Sequence, residues 1–247
     1  MPASVCLATY NGLRYLEPQV QSILEQLGAT DELLVVDDCS SDGTVQWLLA
    51  LQDPRITVHV NEVNCGPNQT FAKAMYLARH EFLFLADQDD IWAPGRFRAM
   101  LGALAEGDAL LVSANQTHID SAGHPLPHTP PALLAEDSGR ALRNLWGICT
   151  GQRPYFGCAM ALKRQLCGLV LPIPAYVESH DLWIAMGANL CRRNLHLERV
   201  SLLRRIHGNN ASLGRRPLWK KVVSRWIHLR SLGTLLLRMP AFLAARR

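Results

Sequence analysis

Three carboxylates stand within four residues at the end of a short apolar run. The run covers residues 81–86, and Asp87, Gln88, Asp89 and Asp90 follow it directly. A strand that ends in clustered acids brings oxygen ligands to the carboxyl edge of a sheet, where open α/β proteins bind their substrates. Like charges at this spacing repel one another unless a cation or hydrogen-bond donors compensate them. The cluster is therefore the first candidate for the chemistry of this chain.

A second acidic motif follows an earlier apolar run, residues 33–36. It begins with Asp37 and Asp38 and continues with two serines, Asp42 and Gly43. An acid at the end of an early parallel strand can accept hydrogen bonds from a nucleobase or a ribose, and the serines and Asp42 can also cap the next helix. Taken alone, the motif leaves both interpretations open.

These acids need a sheet to position them, and the first 115 residues predict one. Short β-rich runs alternate with helical patterns: strands at 4–9, 32–37, 56–60, 81–86 and 109–113, and helices at 13–27, 44–51, 69–79 and 96–105. This alternation predicts right-handed βαβ units and a mostly parallel sheet flanked by helices. The expected fold class is α/β.

The pattern changes between Thr117 and Glu136, where Pro, His, Gly and Ser predominate. Such a stretch predicts a long surface loop or crossover, and we expect it to separate two halves of one domain, residues 1–115 and 116–210. The second half predicts a strand at 155–162, a helix at 181–190 and a strand at 195–203. Residues 211–247 form the expected helical tail.

Charge and cysteine usage limit the cellular setting. The seven cysteines include no C-x-x-C pair, and the amino terminus passes directly into a strand pattern, so we expect reduced thiols in the cytoplasm and no signal peptide. Residues 1–198 carry 13 Lys and Arg against 21 acids, whereas residues 199–247 carry 12 Lys and Arg and no acid. A basic end on an acidic body indicates an anionic partner, either a membrane or a nucleic acid.

The spacing in the tail favours the membrane. Apolar residues fall at steps of four, four and three, with basic residues around them, at Leu218, Val222, Trp226 and Leu229. A basic amphipathic helix with tryptophan suits an anionic membrane surface, and the apolar run 232–243 is short of the ~20 residues that a spanning helix needs. The alternative is a pair of helices that covers the core. We expect no nucleic acid partner.

Four motifs, residues 8–12, 35–44, 64–66 and 86–92, resemble those of family 2 glycosyltransferases in order and spacing. The resemblance covers nearly all of residues 3–210. It implies an inverting enzyme with the nucleotide-diphosphate-sugar-binding fold called GT-A. Further segments at 156–158, 180–183 and 205–210 are most similar to the rhamnosyltransferase branch of bacterial surface-polysaccharide synthesis.

The resemblance also implies roles for single residues. Asp38 matches the acid that contacts the nucleobase, and Asp87 and Asp89 match a D-x-D pair, the first near the ribose and both candidates for holding Mg²⁺ or Mn²⁺. Hard oxygen ligands suit such an ion, which neutralises charge on a departing diphosphate. The other implied donor-binding positions are Thr9, Tyr10, Asn11, Asn64, Gly66 and Gln88. We expect Asp90 to start the next helix, and the alternative to a metal site is a solvated acidic turn at the beginning of that helix.

Inversion requires a base that removes the proton of the acceptor hydroxyl, and Asp181 matches the family's catalytic acid. Glu178 is the second choice for this base, and an N-cap role for Asp181 is the alternative. His207 matches a histidine that is a further metal ligand in some members, or else it is a polar surface residue. We expect Cys158 to be a buried structural residue on a core strand, and Trp92 to pack under the acidic loop.

The predicted activity is the transfer of rhamnose from dTDP-rhamnose to a lipid-linked or oligosaccharide acceptor, at the inner face of the cytoplasmic membrane. A UDP-hexose donor is the alternative within the family. From another class, the alternative is a non-catalytic sugar-nucleotide-binding protein docked at the membrane by its tail. A nucleotidyltransferase of the same fold is disfavoured because the chain lacks a glycine-rich, lysine-bearing loop at its amino terminus.

Overall fold

One sheet of eight strands with helices on both faces organises residues 1–127, 131–153, 155–208 and 217–245, which the computed structural model describes. The strands are β1 (Ala3–Thr9), β2 (Glu32–Asp37), β3 (Ile56–Val60), β4 (Phe82–Asp87), β5 (Ile91–Trp92), β6 (Leu111–Ile119), β7 (Met160–Lys163) and β8 (Asn194–Arg205). The helices are α1 (Leu13–Leu24), α2 (Thr44–Ala50), α3 (Pro67–Leu77), α4 (Arg96–Glu106), α5 (Ala141–Thr150), α6 (Cys167–Val170), α7 (His180–Leu190) and α8 (Leu218–Ala244). The strand order is β3-β2-β1-β4-β7-β6-β8-β5.

In the parallel part of the sheet, β1, β2 and β4 are buried on both faces, whereas the edge strand β3 is only partly buried. In β2, Leu33 and Val35 belong to one hydrophobic core, and Leu34 and Val36 belong to the other. Burial on both faces explains why this strand is a continuous apolar run without alternation. β7 then pairs antiparallel with β4 and β6, and β8 pairs parallel with β6. The expectation of an α/β fold with a mixed, mostly parallel sheet is confirmed.

Two predicted strands are wrong in their bounds. β6 continues to Ile119, because Thr117 and its neighbours pair with β8, so the strand runs through residues 115 and 116 and shortens the expected loop. The strand expected over 155–162 is limited to β7, and Gly157–Ala159 form a 3-10 turn. The guanidinium of Arg96 donates a 2.6 Å hydrogen bond to the carbonyl of Cys158 and so holds this turn, which places Cys158 beside the strand and not on it.

The tail forms one continuous helix, α8, where the alternative prediction was a pair of helices. Leu235 and Phe242 are buried in the core that it shares with α6 and α7. Trp226, from the predicted apolar stripe, is on the other side and is 68% exposed. None of the helices in the described ranges combines the length and the apolarity needed to cross a membrane. The expected boundary at 210/211 lies outside the described residues.

Candidate active site

The carboxyl ends of β1, β2 and β4 bring the predicted donor-binding residues to one edge of the sheet. Thr9 pairs in register with Asp37, and its hydroxyl donates a 2.8 Å hydrogen bond to that buried carboxylate. Gln88 closes the edge from the other side, because its amide accepts from the backbone N–H of Tyr10 at 2.7 Å and donates to the Tyr10 carbonyl at 3.0 Å. Gly12 permits this approach, since a Cβ there would lie 2.1 Å from Oε1 of Gln88.

Asp38 is buried at the start of the next loop and anchors a second one. Its carboxylate accepts hydrogen bonds of 2.8 Å from the Asn61 side chain and from the backbone N–H groups of Cys65 and Gly66. Three of its roughly four acceptor positions are therefore used within the protein. Asn64 is exposed on the anchored loop. The structure thus makes Asp38 the organiser of the loop where the nucleobase contact was expected.

A short bridge joins the first loop to the β2 edge. Asn11 has a positive φ of 47°, and its side-chain oxygen accepts a 2.8 Å hydrogen bond from the backbone N–H of Ser41. Its own backbone N–H donates to the hydroxyl of Ser40 at 2.8 Å. Asparagine tolerates this left-handed conformation better than most residues. Asn11 therefore fixes the two loops relative to each other.

Asp87 ends β4 amid other carboxylates. Burial, followed by the charges of Asp90, Asp89 and Asp181, raises the pKa of Asp87 to about 7. Its backbone carbonyl accepts a 2.6 Å hydrogen bond from the side chain of Gln19. Sequence reasoning missed Gln19, although a polar residue at a buried position of the apolar stripe of α1 was a usable signal. Carboxylate oxygens of Asp87 and Asp90 lie within 4.8 Å of each other, so these acids converge at the end of β4.

Asp90 does not start a helix, so that expectation is wrong. β5 follows it, and α4 begins only at Arg96. Asp90 is buried, and its Oδ1 accepts a 3.0 Å hydrogen bond from the backbone N–H of Arg205. Burial, with the charge of Asp89, raises the pKa of Asp90 to about 7. The pairing of β5 with β8 draws this carboxylate inward, which no local pattern predicts.

Asp89 meets His207 across 118 positions of sequence. Nε2 of His207 lies 2.7 Å from Oδ2 of Asp89, and the imidazole stacks on Tyr15 with 4.9 Å between ring centroids. Arg205 supports the pair, because its Nε donates to the Asp89 carbonyl at 3.0 Å. The His207 side chain is only 13% exposed, so it is not a surface residue. Asn209 and Asn210, from the same sequence motif, lie outside the described residues.

Asp181 lies in the first turn of α7, but Ser179 caps the helix. The Ser179 hydroxyl accepts from the backbone N–H of Leu182 at 3.3 Å, so the N-cap alternative for Asp181 is wrong. Oδ1 of Asp181 lies 3.1 Å from Nε2 of His180, and that imidazole stacks on Phe71 at 4.3 Å. Asp181 is therefore not used as the helix cap, and it lies beside the imidazole of His180, which Phe71 holds in position.

Three further residues were predicted near the site: Glu178, Cys158 and Trp92. Glu178 is exposed and accepts a 2.6 Å hydrogen bond from the Ser224 hydroxyl, which ties it to α8. Cys158 is buried, as expected, and burial raises the pKa of its thiol. Trp92 is also buried, as expected, and packs against Phe84. None of the three takes a position that competes with Asp181.

The residue set fits a divalent cation. Asp87 and Asp89 offer hard oxygen ligands, and His207 adds a ring nitrogen. The upward shift in the pKa of Asp87 is the response of a carboxylate to burial and like charge. The positive charge of a bound cation favours the ionised carboxylate, so it would lower the pKa that burial and like charge have raised. Among the described residues, the ligand atoms of Asp87, Asp90 and Cys158 lie within 4.8 Å of one another, and Asp89 pairs with His207 next to them in the sequence. The acids of this edge, with His207, could therefore hold Mg²⁺ or Mn²⁺.

Comparison with known proteins agrees with this geometry. The model of the family "Glycosyl transferase family 2" matches residues 4–166. The succinoglycan biosynthesis protein ExoO of Rhizobium meliloti (strain 1021) is 31% identical over 129 residues, which are 52% of this chain and 37% of ExoO. The dTDP-rhamnosyl transferase RfbG of Shigella flexneri is 30% identical over 116 residues, 44% of this chain and 40% of RfbG. The chain thus spans less than half the length of these two relatives.

A solved structure shows the shared fold. The mannosyltransferase PcManGT from Pyrobaculum calidifontis, in complex with GDP-Man and Mn²⁺, aligns with a TM-score of 0.64 and 19% identity over 98% of this chain and 75% of its own. The expected GT-A fold is thereby confirmed. Because the family model covers more than half of the sequence, the chain belongs to glycosyl transferase family 2, a family of sugar-transferring enzymes.

Proposed function

We propose that this chain transfers a sugar, with inversion, from a nucleotide-diphosphate donor to a hydroxyl of a saccharide acceptor. One observation carries the proposal: the same short turn contacts both acids, because a Cβ at Gly157 would lie 3.5 Å from Cγ of Asp181 and the sulfur of Cys158 lies within 4.8 Å of a carboxylate oxygen of Asp87. A candidate base and a candidate diphosphate-holding group therefore share one site. His207 completes the group beside Asp89.

The reaction follows from these positions. The acceptor oxygen attacks the anomeric carbon and forms a new C–O bond, while the bond from that carbon to the diphosphate oxygen breaks and leaves its electron pair on the diphosphate. The proton of the acceptor hydroxyl passes to the carboxylate of Asp181. His180, packed on Phe71, places its Nε2 3.1 Å from Oδ1 of that carboxylate. Asp87, Asp89 and His207 would hold Mg²⁺ or Mn²⁺, which supplies charge neutralisation for the diphosphate when bound.

The loops that carry Tyr10, Asp38 and Gly66 would bind the nucleotide part of the donor. Tyr10 is about half exposed above the edge, and Asp38 keeps Gly66 and its loop beside it. The segments at 156–158 and 180–183 and the similarity to RfbG favour dTDP-rhamnose as the donor. A UDP-hexose is the competing donor.

The acceptor is lipid-linked or an oligosaccharide of a surface polysaccharide. Support comes from α8, where Trp219 and Trp226 are 64% and 68% exposed beside Lys220, Lys221 and Arg225. The charge pattern, with no acid after Glu198, suits an anionic surface at the inner face of the cytoplasmic membrane.

The test separates transfer from binding. We expect Asp181→Asn to lower the transfer rate at least about 100-fold, the lower range for loss of a general base. Thermal shifts with dTDP-rhamnose, UDP-glucose and other nucleotide sugars, with and without Mn²⁺, should be the same in both proteins. The shifts also identify the nucleotide and the metal.

Two results would contradict this assignment. Full transfer by the Asp181→Asn protein, with loss in Glu178→Gln, would move the base to Glu178. Metal-dependent donor binding with no transfer to any acceptor by the wild type would favour the non-catalytic sugar-nucleotide-binding alternative.

A further inference from the structure

A cavity of about 230 Å³ lies where β6 and β8 lose their regular register. Ala114 pairs with Leu197, but the next residue, Asn115, pairs with Val200. The extra residues of β8 bulge away from β6, and bulges next to active sites commonly open space or redirect side chains. The irregular pairing of β6 and β8 therefore explains why a cavity is present at this position.

Gln116 gives this cavity an unsatisfied polar group. It lines the cavity and is only 6% exposed, and its Nε2 has no hydrogen-bond partner among the described residues. Its Oε1 accepts a weak hydrogen bond from the thiol of Cys158, 3.9 Å away. Buried amide donors are nearly always paired in folded proteins, so an unpaired one beside a cavity points to a ligand oxygen.

The cavity shares a wall with the candidate active site. Phe156 lines it, and the following residue, Gly157, lies against Asp181, whose Cγ would be 3.5 Å from a Cβ at that glycine. Sulfur of Cys158 lies within 4.8 Å of carboxylate oxygens of Asp87 and Asp90. The turn 156–158 therefore separates the cavity from the acids.

Strand order assigns the cavity to the acceptor and not to the donor. The candidate donor-binding residues follow β1, β2 and β4, whereas the cavity lies between β6 and β8, beyond β7. Its volume is below the ~300 Å³ at which pockets for drug-sized ligands begin, so it suits a single sugar ring. Its lining combines one aromatic residue, Phe156, and aliphatic residues such as Leu133 with polar side chains, and a sugar ring has both apolar faces and hydroxyl groups to match.

We propose that this cavity binds the sugar ring of the acceptor, with the Gln116 amide donating to a ring hydroxyl and Phe156 packing against the apolar face of the ring. The inference rests on the proposed function, because only a transferase needs an acceptor-binding cavity beside the turn that contacts Asp181. It adds a binding residue that the acidic motifs do not reveal.

The test measures sugar binding without turnover. Saturation-transfer NMR is recorded on the full chain with methyl glycosides of a hexose, a 6-deoxyhexose and an N-acetylhexosamine. We expect at least one glycoside to bind, and Gln116→Met to weaken it about tenfold, the effect of one lost hydrogen bond. The melting temperature of Gln116→Met should stay equal or rise, since an unpaired donor is removed; a purely structural glutamine would not give this combination.

A second variant and a control complete the design. Val200→Phe fills the cavity from its partly exposed side and should weaken the same glycoside, whereas Leu49→Phe, on exposed α2, should not. Failure of every glycoside to bind, or unchanged binding in both cavity variants, would overturn the inference. Displacement of the glycoside by a saturating nucleotide sugar with Mn²⁺ would also overturn it, because the ring would then be the donor's. None of these results alters the outcome of the Asp181→Asn test, which reports on the transferase itself.

Discussion

At the scale of single residues, close approach matters as much as charge. Gly157 has no Cβ, and one built there would lie 2.7 Å from Nε2 of His180. The imidazole cannot easily retreat, because it stacks on Phe71 and lies 3.2 Å from the side-chain oxygen of Asn68. The glycine therefore sets the position of the ring beside Asp181.

Gly157→Ala should lower transfer at least about tenfold while leaving the donor-induced thermal shift unchanged, since a misplaced catalytic group affects the reaction more than donor binding. Steady-state kinetics with the cognate donor measure the effect. Gly139→Ala is the matched control, because a Cβ there meets nothing within 4 Å. Wild-type kinetics for Gly157→Ala would show that His180 and Asp181 adjust freely.

At the scale of elements, α8 has two different faces. Leu235 and Phe242 pack into the core, and Tyr176 donates or accepts a 2.6 Å hydrogen bond with Thr234. The opposite face exposes Trp219 and Trp226 at a spacing of seven residues, two turns apart. Deleting the helix would therefore damage the core and the exposed face together.

Point substitutions separate these faces. Trp219→Ala combined with Trp226→Ala should reduce flotation with phosphatidylglycerol vesicles several-fold and leave unfolding by urea nearly unchanged. Leu235→Ala should do the opposite, costing about 2–5 kcal/mol of stability as a large-to-small core change. Equal flotation of the double tryptophan variant and the wild type would remove the case for a membrane surface on α8.

At the scale of the whole molecule, one buried carboxylate makes folding depend on pH. Asp137 binds Arg153 at 2.7 Å, Arg143 at 3.0 Å and Arg140 at 3.4 Å, and so joins α5 to the segments on either side of it. The hydrogen bond from Arg153, followed by the arginine charges, holds the pKa of Asp137 below its usual range. A folded pKa below the unfolded value of ~3.9 contributes stability above that pH and loses it as the pH falls toward the folded value.

Asp137→Asn should therefore lower the free energy of unfolding by roughly 1–3 kcal/mol at pH 7. The difference from the wild type should stay constant down to about pH 5 and shrink below about pH 4, as urea unfolding at each pH will measure. Asp108→Asn removes the exposed partner of Arg193 and should change stability by at most about 1 kcal/mol. A difference that does not shrink at all between pH 5 and pH 3 would mean that packing, not charge, stabilises this region.

Local patterns in the sequence were enough for the elements and for the acids at their ends. The apolar runs before Asp37 and Asp87 are strands buried on both faces, and the alternation with helices requires a parallel sheet whose carboxyl ends meet. The motifs at the ends of these strands were also enough to predict the family. These features depend on neighbours a few residues apart, which a sequence displays directly.

Tertiary structure alone decided which side chains meet. The contact of His207 with Asp89, the burial of Asp90, and the use of Asp38 to hold a loop join positions 27 to 118 residues apart. The cavity at Gln116 also joins distant parts of the sequence, because it forms where β8 bulges away from β6. Sequence periodicity specifies which face of an element is apolar, but not which strand lies beside it. The strand order of the folded sheet supplied that information, and with it the arrangement of the site.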